Sequence, residues 1–310
     1  HLCDRRQRQM CIRDSPQYHP IPENDKYWGK GFTEWTNVAK AKPLFRGHYQ
    51  PHIPADLGFY DLRLPEVREA QAELARDAGI EGFCYYHYWF GNGKMLLQKP
   101  FEEVLRLGKP DFPFCLCWAN HDWTTKTWVK GSSMVNNTMI AQQEYLGEQD
   151  DIKHFEYCLR AFKDHRYITI EGKPIFLIYD PLSFPNVKEF MNRWNFLAKK
   201  NNLKGIYFIG VTTGRQSSYK IVTNLGFDGV CHNRRWEAEA KAAGFRFVRR
   251  MQSLLGWHLG ISLMKYDYNK VVRNYDTPEN KLENCYPVIT PGFDRTPPVS
   301  YTHLTLPTIA

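Results

Sequence analysis

The sequence GFCYYHYW, at residues 82–89, is an aromatic-rich apolar run without an acidic residue, lysine or arginine. A run of this length that does not alternate with polar residues is typical of a strand covered on both faces. The segment before it, Glu66–Ala78, repeats small and aliphatic residues three to four positions apart. This spacing predicts an amphipathic helix that Gly79 ends, so a helix leads into a buried strand.

The same alternation of helix-like and strand-like segments continues toward the C-terminus. Four further segments predict helices: Pro100–Leu107, Asp150–Phe162, Lys188–Lys200 and Ser217–Leu225. Five more apolar runs predict strands: Phe112–Ala119, Pro174–Tyr179, Gly205–Val211, Phe227–Cys231 and Tyr286–Thr290. Because nearly all of these strands are continuous apolar runs, they indicate a parallel sheet with helical crossovers.

Two architectures use this alternation, the closed eight-stranded barrel and the doubly wound open sheet. An open sheet usually carries a glycine-rich turn after its first strand, but the chain contains no Gly-x-Gly-x-x-Gly motif. We therefore predict an α/β fold of the (β/α)8 TIM-like barrel type. We expect the barrel to be truncated at both ends, with a strand lost before Pro16 and at least one lost after Pro298.

The two ends of the chain differ from its middle. Residues 1–15 are rich in Arg and Gln without an apolar period, and residues 299–310 follow a Pro-Pro pair and belong to no evident helix. Both stretches resemble translated sequencing-adapter tails, which must be excluded from fold reasoning. We predict a non-native or disordered head (residues 1–15), a single catalytic (β/α) barrel domain (residues 16–298) and a non-native or disordered tail (residues 299–310).

The composition narrows the classes of function. The formal net charge of +8 is mild for 310 residues and the basic residues are scattered, which argues against a nucleic-acid partner. No apolar run is long enough for a transmembrane segment. The six cysteines outside the head show no finger-like spacing, so a reduced, cytoplasmic protein is expected. The aromatic fraction of 15% favours a pocket lined by aromatic rings.

In a barrel, the residues that carry the chemistry lie at the C-terminal ends of the strands and in the loops that follow. The ends of five of the six predicted strands, all except Gly205–Val211, carry aromatic or titratable side chains, which a purely structural barrel does not need. We predict that the following residues meet around one saccharide: Tyr86, His87, Trp89, Trp118, Asn120, His121, Asp122, Trp123, Tyr179, Asp180, His232, Asn233, Arg235 and Asp294. Aromatic rings stack on the apolar faces of sugars, while Asn, His and Asp bond their hydroxyl groups.

Glycosidic-bond chemistry needs a pair of carboxylates, one as general acid and one as nucleophile or base. The candidates are Asp122, Glu144, Asp180 and Asp294, with Glu34 and the adjacent Trp35 in the long segment before the first helix. Structural roles also fit Asp180 as a turn former, Glu144 as a solvated loop charge and His87 as a core histidine. Asp122 is the hardest of these residues to explain as structural.

A metal is not expected in this protein. His87, His121, Asp122 and His232 could ligate zinc, but no His-x-x-x-His pair or similar spacing occurs near them. We therefore predict neither a metal nor another cofactor.

Several longer motifs resemble one family. They are YHPIPEND at residues 18–25, WGKGFTEW at 28–35, HYQPH at 48–52, ADLGFYD at 55–61, FCYYHYW at 83–89, Trp118-Ala119-Asn120 and Gly172-Lys173-Pro174. Together, from about Pro16 to Pro298, they resemble the WbsX family, which comprises glycosyltransferases of bacterial O-antigen and capsule gene clusters and glycoside hydrolase family 99-like domains. The resemblance implies a (β/α)8 barrel related to retaining endo-α-mannosidases.

The sequence departs from the family pattern at two positions. The family usually has Glu after Trp-Ala-Asn, where this chain has His121. If that Glu is the catalytic acid, either Asp122 has taken its place or the activity differs. The Gly-Trp-Asp of the family is represented here by Gly292-Phe293-Asp294.

The resemblance implies a WbsX-like glycosyltransferase or transglycosidase of O-antigen (lipopolysaccharide) or capsular polysaccharide biosynthesis. Against it, the chain lacks an Asp-x-Asp metal motif and a glycine-rich nucleotide site. Two alternatives stay open: a retaining glycoside hydrolase of the family 99-like, endo-α-mannosidase type, and a non-catalytic carbohydrate-binding barrel. For an enzyme, we expect Asp122, Glu144, Asp180 and His121 to be catalytic. The other strand-end residues, with Glu34 and Trp35, are then expected to bind an oligo- or polysaccharide.

Overall fold

The computed structural model describes residues 17–43, 47–125, 138–212, 218–242, 251 and 268–288, together with the backbone of Cys11–Asp14. Its strands are β1 (Cys11–Asp14), β2 (Gly82–His87), β3 (Phe114–Trp118), β4 (Trp123–Thr124), β5 (Met139–Ala141), β6 (Thr169–Ile170), β7 (Lys173–Ile178), β8 (Tyr207–Val211), β9 (Gly229–His232) and β10 (Cys285–Pro287). Its helices are α1 (Pro22–Trp28), α2 (Glu34–Lys40), α3 (Pro65–Asp77), α4 (Lys99–Leu107), α5 (Glu148–Phe162), α6 (Val187–Lys200), α7 (Tyr219–Asn224), α8 (Arg235–Ala242), α9 (Tyr268–Arg273) and a 3₁₀ helix, Pro278–Lys281.

The main sheet has the strand order β1-β2-β3-β7-β8-β9-β10, and each neighbouring pair along it is parallel. Helices α4, α5, α6 and α7 each lie between two successive strands of this sheet in the chain. Neighbouring strands follow the order of the chain, whereas a doubly wound sheet reverses its order at a switch point. The predicted α/β fold of the barrel type is therefore confirmed. Within the described residues, the sheet is open between β1 and β10.

The first strand differs from the expectation for the head of the chain. Residues Cys11–Asp14, which the sequence assigned to a segment outside the fold, pair in parallel with the edge of β2. Strand pairing uses backbone N–H and C=O groups, so a short segment can join a sheet without an apolar side-chain pattern. The domain boundaries and the origin of both ends stay predictions.

One face of the sheet packs against α5 and α6 through aromatic rings. Phe176 of β7 lies 4.7 Å from Trp194 of α6, measured between ring centroids, and Phe190 of the same helix lies 4.6 Å from Trp194. Phe208 of β8 contacts both helix residues. Trp194 is fully buried, and its indole N–H donates to the carbonyl of Asp151. Because truncating a buried aromatic side chain to Ala costs about 3–5 kcal/mol, this layer holds the helices on the sheet.

The opposite face of β2 and β3 carries three cysteines. Cys84 of β2 lies beside Cys115 of β3 in register, and Cys117 follows on the same face. All three are buried free cysteines, which behave as small hydrophobic side chains. The cytoplasmic location that the cysteines predict stays a prediction. Among the described helices, none has the length and apolar character that crossing a bilayer requires.

Candidate functional site

Asn120 joins the carboxyl ends of β3 and β7. Its Oδ1 accepts from the backbone N–H of Asp180 at 2.7 Å, and its Nδ2 donates to the carbonyl of Asp180 at 2.8 Å. The same Nδ2 donates to the hydroxyl of Tyr145 at 2.9 Å, and that hydroxyl donates to the Asn120 carbonyl at 3.1 Å. Asn120 is 1% exposed. Since its amide is used within the protein, Asn120 positions the loops rather than presenting itself to a substrate.

Asp122 is an exposed carboxylate two residues further along this loop. Its Oδ1 accepts from the backbone N–H of Gln143 at 2.8 Å. The next residue, Trp123, is buried in β4 and stacks on Tyr88 with ring centroids 5.5 Å apart. Since β4 pairs with β5, the hairpin holds Asp122 against the segment that follows β5. The structure therefore fixes the backbone on both sides of this carboxylate.

Glu144 follows Gln143, so it lies one residue from the group that bonds Asp122. Its backbone N–H donates to the carbonyl of Phe90 at 3.1 Å, which places it against the loop after β2. A Cβ atom on Gly91 would lie 3.2 Å from the Cβ of Glu144, which shows how closely the two segments approach. Glu144 is exposed to solvent. Its placement fits both a catalytic carboxylate and a solvated loop charge.

Asp180 lies at the end of β7 and is partly buried. Its Oδ2 accepts from the hydroxyl of Ser183 at 2.8 Å, and its Oδ1 accepts from the backbone N–H of Ser183 at 3.3 Å. The side chain of Asp180 therefore bonds the backbone N–H three residues further on and stabilises the turn that follows β7. The turn-former role that the sequence left open for Asp180 is therefore present in the structure.

Tyr145 is a residue of the site that the sequence did not reveal. Burial raises the pKa of its hydroxyl to about 12, with smaller contributions from the carboxylates of Asp180 and Asp122 and against a lowering by the hydrogen bond with Asn120. The ring stacks on Phe184 at 4.4 Å. Tyr145 thus keeps its proton at neutral pH and lies within electrostatic range of two candidate carboxylates. Its contacts come from residues more than 20 positions away, so no local motif marks it.

His121, Tyr179 and Tyr86 form a row of rings beside these carboxylates. The His121 ring lies 5.3 Å from that of Tyr179, and Tyr179 lies 6.0 Å from Tyr86. Along β2, Tyr86 alternates with His87 and therefore points to the face that carries the cysteines. The structure brings these three predicted residues together, as the sequence proposed.

His87, Trp89 and Trp118 lie instead on the helix-facing side, where all three are buried. The Trp89 indole stacks on His154 of α5 at 4.7 Å and donates to Asp150 Oδ2 at 3.0 Å. The indole N–H of Trp118 donates to the carbonyl of Trp89. The sequence predicted that these three side chains contact a saccharide at the strand ends, whereas in the structure they are buried. They belong to the aromatic layer under α5, and the core-histidine role left open for His87 is the one observed.

A buried group of potential metal ligands includes one of these residues. Among the described residues, His87, His154 and Cys158 form a cluster whose ligand atoms lie within 4.8 Å of one another. The two Nε2 atoms are 2.8 Å apart, which is a hydrogen-bond distance. Two nitrogen ligands on one zinc ion, each ~2.0–2.1 Å from the metal in tetrahedral geometry, would lie about 3.3 Å apart. The geometry fits a neutral imidazole pair in which one ring donates and the other accepts.

The end of β9 places His232, Asn233 and Arg235 two strands beyond β7. His232 is buried, with Nδ1 3.3 Å from Asn280 Oδ1, and burial lowers its pKa. Arg235 donates from Nε to Glu239 at 2.7 Å, within α8. Asn233 accepts from the Thr212 hydroxyl through its carbonyl and donates to it through its N–H. These three residues lie at the same edge of the sheet as the carboxylates, but among the described residues they form hydrogen bonds with Asn280, Thr212 and Glu239 and not with the other predicted site residues.

The remaining predicted residues lie near the other edge of the sheet or outside the described residues. Glu34 is buried at the start of α2, where its N–H donates to the carbonyl of Gln17. The indole of Trp35 donates to the carbonyl of Tyr60 at 2.8 Å. Asp294 falls outside the described residues.

Parallel βα units that follow one another in chain order define the class of (β/α)-barrel-type proteins. In this chain, carboxylates, a tyrosine hydroxyl and stacked rings lie at the strand ends. Within that class, sequence comparison identifies the family. A model of the family described as "Glycosyltransferase WbsX" matches residues 14–306. The chain therefore belongs to this family.

Relatives of this chain occur in two strains of Xanthomonas campestris pv. campestris, where they are described as "Uncharacterized protein WxcX". Each is 33% identical over 282 residues, which is 91% of this chain. The chain spans 38% of the length of these relatives.

Solved structures show a distant likeness. Two structures of the GH99 endo-α-mannosidase from Bacteroides thetaiotaomicron, one in complex with bis-tris-propane, share 15% identity with TM-scores of 0.46 and 0.40. These comparisons cover 81% of this chain and 66% and 68% of the mannosidase chains. A structure described as "Glycoside hydrolase-like protein" shares 15% identity over 68% of this chain and 64% of its own, with a TM-score of 0.40.

Proposed function

We propose that this chain is a WbsX-type glycosyltransferase of bacterial O-antigen or capsular polysaccharide biosynthesis, in which Asp122 acts on the reacting sugar. The observation that carries the proposal is the setting of Asp122, an exposed carboxylate whose Oδ1 is held by the N–H of Gln143 at 2.8 Å. A carboxylate fixed through one oxygen keeps its second oxygen for a substrate proton or an anomeric carbon.

The groups around Asp122 suggest further roles. Glu144 is exposed one residue beyond Gln143 and supplies the second carboxylate of the proposed pair. His121 is adjacent to Asp122, and its ring nitrogens can bond a sugar hydroxyl. Asp180 accepts from Ser183 through both oxygens, so we give it the role of holding the β7 loop in place. The proposed pair is thus Asp122 with Glu144.

The sugar itself is proposed to lie against the row of Tyr86, Tyr179 and His121. A ring face suits the apolar face of a pyranose, and the imidazole and phenol groups can bond its hydroxyls. A polysaccharide or its oligosaccharide unit is therefore the proposed partner, with no role for nucleic acid.

Retaining hydrolysis is the second candidate, and one observation favours it. Two exposed carboxylates on neighbouring loops are the groups with which a retaining glycosidase forms and then hydrolyses its glycosyl-enzyme intermediate. The two reactions differ in the acceptor, which is a sugar hydroxyl in transfer and water in hydrolysis.

Substituting Asp122 by Asn tests the proposal. We expect turnover to fall at least ~100-fold, as removal of a general acid or base does, with the fold retained because the side chain is exposed. Asp111→Asn is the matched control, because Asp111 is an exposed aspartate just before β3, at the opposite end of that strand. Turnover is measured in two assays. Release of nucleoside phosphate from sugar nucleotides, with an O-polysaccharide as acceptor, reports transfer. New reducing ends from the polysaccharide alone report hydrolysis.

Each result decides between the candidates. Nucleoside phosphate release supports transfer, and new reducing ends without it support hydrolysis. Wild-type turnover in Asp122→Asn would remove Asp122 from the mechanism. A wild-type protein that binds the polysaccharide but consumes neither substrate would replace both enzymes with the carbohydrate-binding barrel.

A further inference from the structure

Four aromatic side chains, here called the Trp35 cluster, lie beside the carboxyl end of β1: Tyr18, Trp35, Phe59 and Tyr60. The Trp35 indole contacts all three other rings, with centroid distances of 4.7 Å to Tyr18, 5.4 Å to Phe59 and 5.0 Å to Tyr60. Phe59 and Tyr60 meet the indole at 89° and 90°, in the edge-to-face arrangement that aromatic pairs prefer. Phe59 is 52% exposed, so the cluster presents an aromatic surface to solvent.

The Trp35 cluster lies near the edge of the sheet at which the strands end. Tyr18 follows the last residue of β1 by four positions, and its carbonyl accepts from the N–H of Leu62, which ties the Phe59 loop to that strand end. Since β1 pairs in parallel with β2, its carboxyl end lies at the same edge as the candidate site. The hydroxyl of Tyr27, in α1, lies 3.5 Å from the carbonyl of Met139, in β5. The segment after β5 is the one that holds Asp122.

An ion pair borders the aromatic surface. The Arg63 guanidinium donates to both oxygens of the Asp61 carboxylate, from Nε to Oδ1 at 3.0 Å and from a terminal nitrogen to Oδ2 at 2.6 Å. Burial raises the pKa of Asp61, but the hydrogen bonds and charge of Arg63 outweigh it and keep that pKa below its ordinary value. The carboxylate is therefore ionised at neutral pH. Both side chains are partly exposed and offer acceptors and donors to a ligand beside Phe59.

This combination suits a sugar better than a protein surface. A pyranose has an apolar face for an aromatic ring and a rim of hydroxyls that both donate and accept. The centre of a protein–protein interface is depleted in charged residues, whereas a charged pair lies within four residues of Phe59. A paired carboxylate and guanidinium have no net charge, which fits a neutral ligand.

We propose that the Trp35 cluster, with Asp61 and Arg63, is a second saccharide subsite that binds a neutral hexose unit of a polymeric substrate away from the reacting bond. The inference rests on the proposed function, because a second subsite has a use only if the chain acts on or binds a polymer. It gives the protein a preference for long glycans over short ones.

Phe59→Ala tests this subsite, and Phe196→Ala is the matched control. Phe196 lies on α6 and is 67% exposed, so both variants remove an exposed phenylalanine ring. The probes are size-fractionated oligosaccharides, from two to twelve sugar units by design, made from bacterial O-polysaccharides and from α-mannan. Their binding is measured by calorimetry. We expect Phe59→Ala to bind the longest oligosaccharides about tenfold more weakly, with a smaller loss for disaccharides, and Phe196→Ala to match wild type.

A second variant and defined outcomes keep the inference testable. Arg63→Gln breaks the ion pair without removing a ring, and we expect it also to weaken the longest oligosaccharides most. Equal affinities of both variants and wild type at every length would overturn the subsite and leave the proposed function intact. Equal losses at every length would place Phe59 at the reacting sugar. Loss of self-association by Phe59→Ala in sedimentation, with unchanged glycan binding, would assign the surface to a second copy of the chain. A wild-type protein that binds no probe overturns the proposed function together with the subsite.

Discussion

Lowering the pH from 7 to 5 is expected to destabilise the fold through the buried pair of His87 and His154. Burial lowers the pKa of His87 to about 3, and it lowers the pKa of His154 well below its ordinary value, with a further lowering by the charge of His87. In the unfolded chain, both imidazoles return to an ordinary pKa of about 6.5. Below pH 6.5, the unfolded chain therefore binds protons that the folded protein does not, and the free energy of unfolding falls as the pH falls.

The magnitude follows from the difference in pKa between the two states. For His87, the loss extends from the unfolded pKa of about 6.5 down to the folded pKa of about 3. At pH 5, about 1.5 units below the unfolded value, the loss at about 1.4 kcal/mol per unit is about 2 kcal/mol. His154 acts in the same direction. Against a typical stability of about 5–15 kcal/mol, this is a measurable fraction.

Other groups near the pair must be separated from this effect. Burial raises the pKa of Asp151 to about 6, against the lowering influence of Arg193. As the pH falls, the folded protein therefore binds a proton at Asp151 before the unfolded chain does, and this contribution to the free energy of unfolding rises and opposes that of the histidines. Burial keeps the Cys158 thiol protonated, because its pKa lies well above the ordinary value. Tyr157, which stacks on His87, is likewise kept protonated by burial, with Glu102 accepting its hydrogen bond. A comparison of variants at each pH cancels these contributions.

The assay is urea unfolding followed by tryptophan fluorescence at pH 7, 6 and 5. Wild type is compared with the double variant His87→Gln/His154→Gln and with the control His165→Gln, which changes an exposed histidine. Between pH 7 and pH 5, wild type is expected to lose at least about 2 kcal/mol more than the double variant, and the control to follow wild type. Unchanged m-values would show that the compactness of the states is the same. An identical pH dependence of wild type and double variant would refute the reasoning, because the pair would then accept protons within the fold.

The remaining predictions concern a loop and a strand. Asn120→Ala leaves the partly buried N–H and carbonyl of Asp180 without their partner, so we expect a loss of about 1–3 kcal/mol in urea unfolding and reduced turnover. Turnover that matched wild type would show that the β7 loop needs no such positioning. Gly229→Ala would place a Cβ 2.7 Å from the ring of Tyr286, and we expect an overpacking cost of about 1–3 kcal/mol, partly recovered in a Tyr286→Leu background. No recovery in the double variant would contradict that contact.

The order and type of the elements could be predicted from sequence because the fold repeats one simple unit. Each predicted strand is a continuous apolar run, and each predicted helix has an apolar period, so that α6 was expected at Lys188–Lys200 and lies at Val187–Lys200. Strand β1 had no such signal, because Cys11–Asp14 joins the sheet by backbone pairing at an edge. The hairpin of β4 and β5 was also missed, since its strands have only two and three residues.

The sequence could not predict which face of the sheet each strand residue lies on. That orientation determines which candidate residues reach the site. In a half-buried strand, polar and apolar residues alternate and identify the faces. In β2 both faces are buried, so the sequence does not show whether Tyr86 or His87 faces the site. In the structure, Tyr86 contacts Tyr179 while His87 stacks on Tyr157 under α5. Burial on both faces, which made the strand recognisable, also removed the information about its orientation.

Asn120 shows why the chemistry of a strand end cannot be assigned from residue type alone. An asparagine beside carboxylates suits a sugar hydroxyl, yet a buried amide must first satisfy its own hydrogen bonds. Here its partners are Asp180 and Tyr145, 60 and 25 residues away in the chain. An amide committed to these partners cannot be offered to a sugar without leaving them unpaired, which is costly in a buried site. The neighbouring Asp122 has the opposite setting, since it is exposed and held through one oxygen by a backbone N–H. The distinction between positioning and reacting residues in this loop therefore follows from burial and bonding, and Asn120 holds the loops from which Asp122 can act.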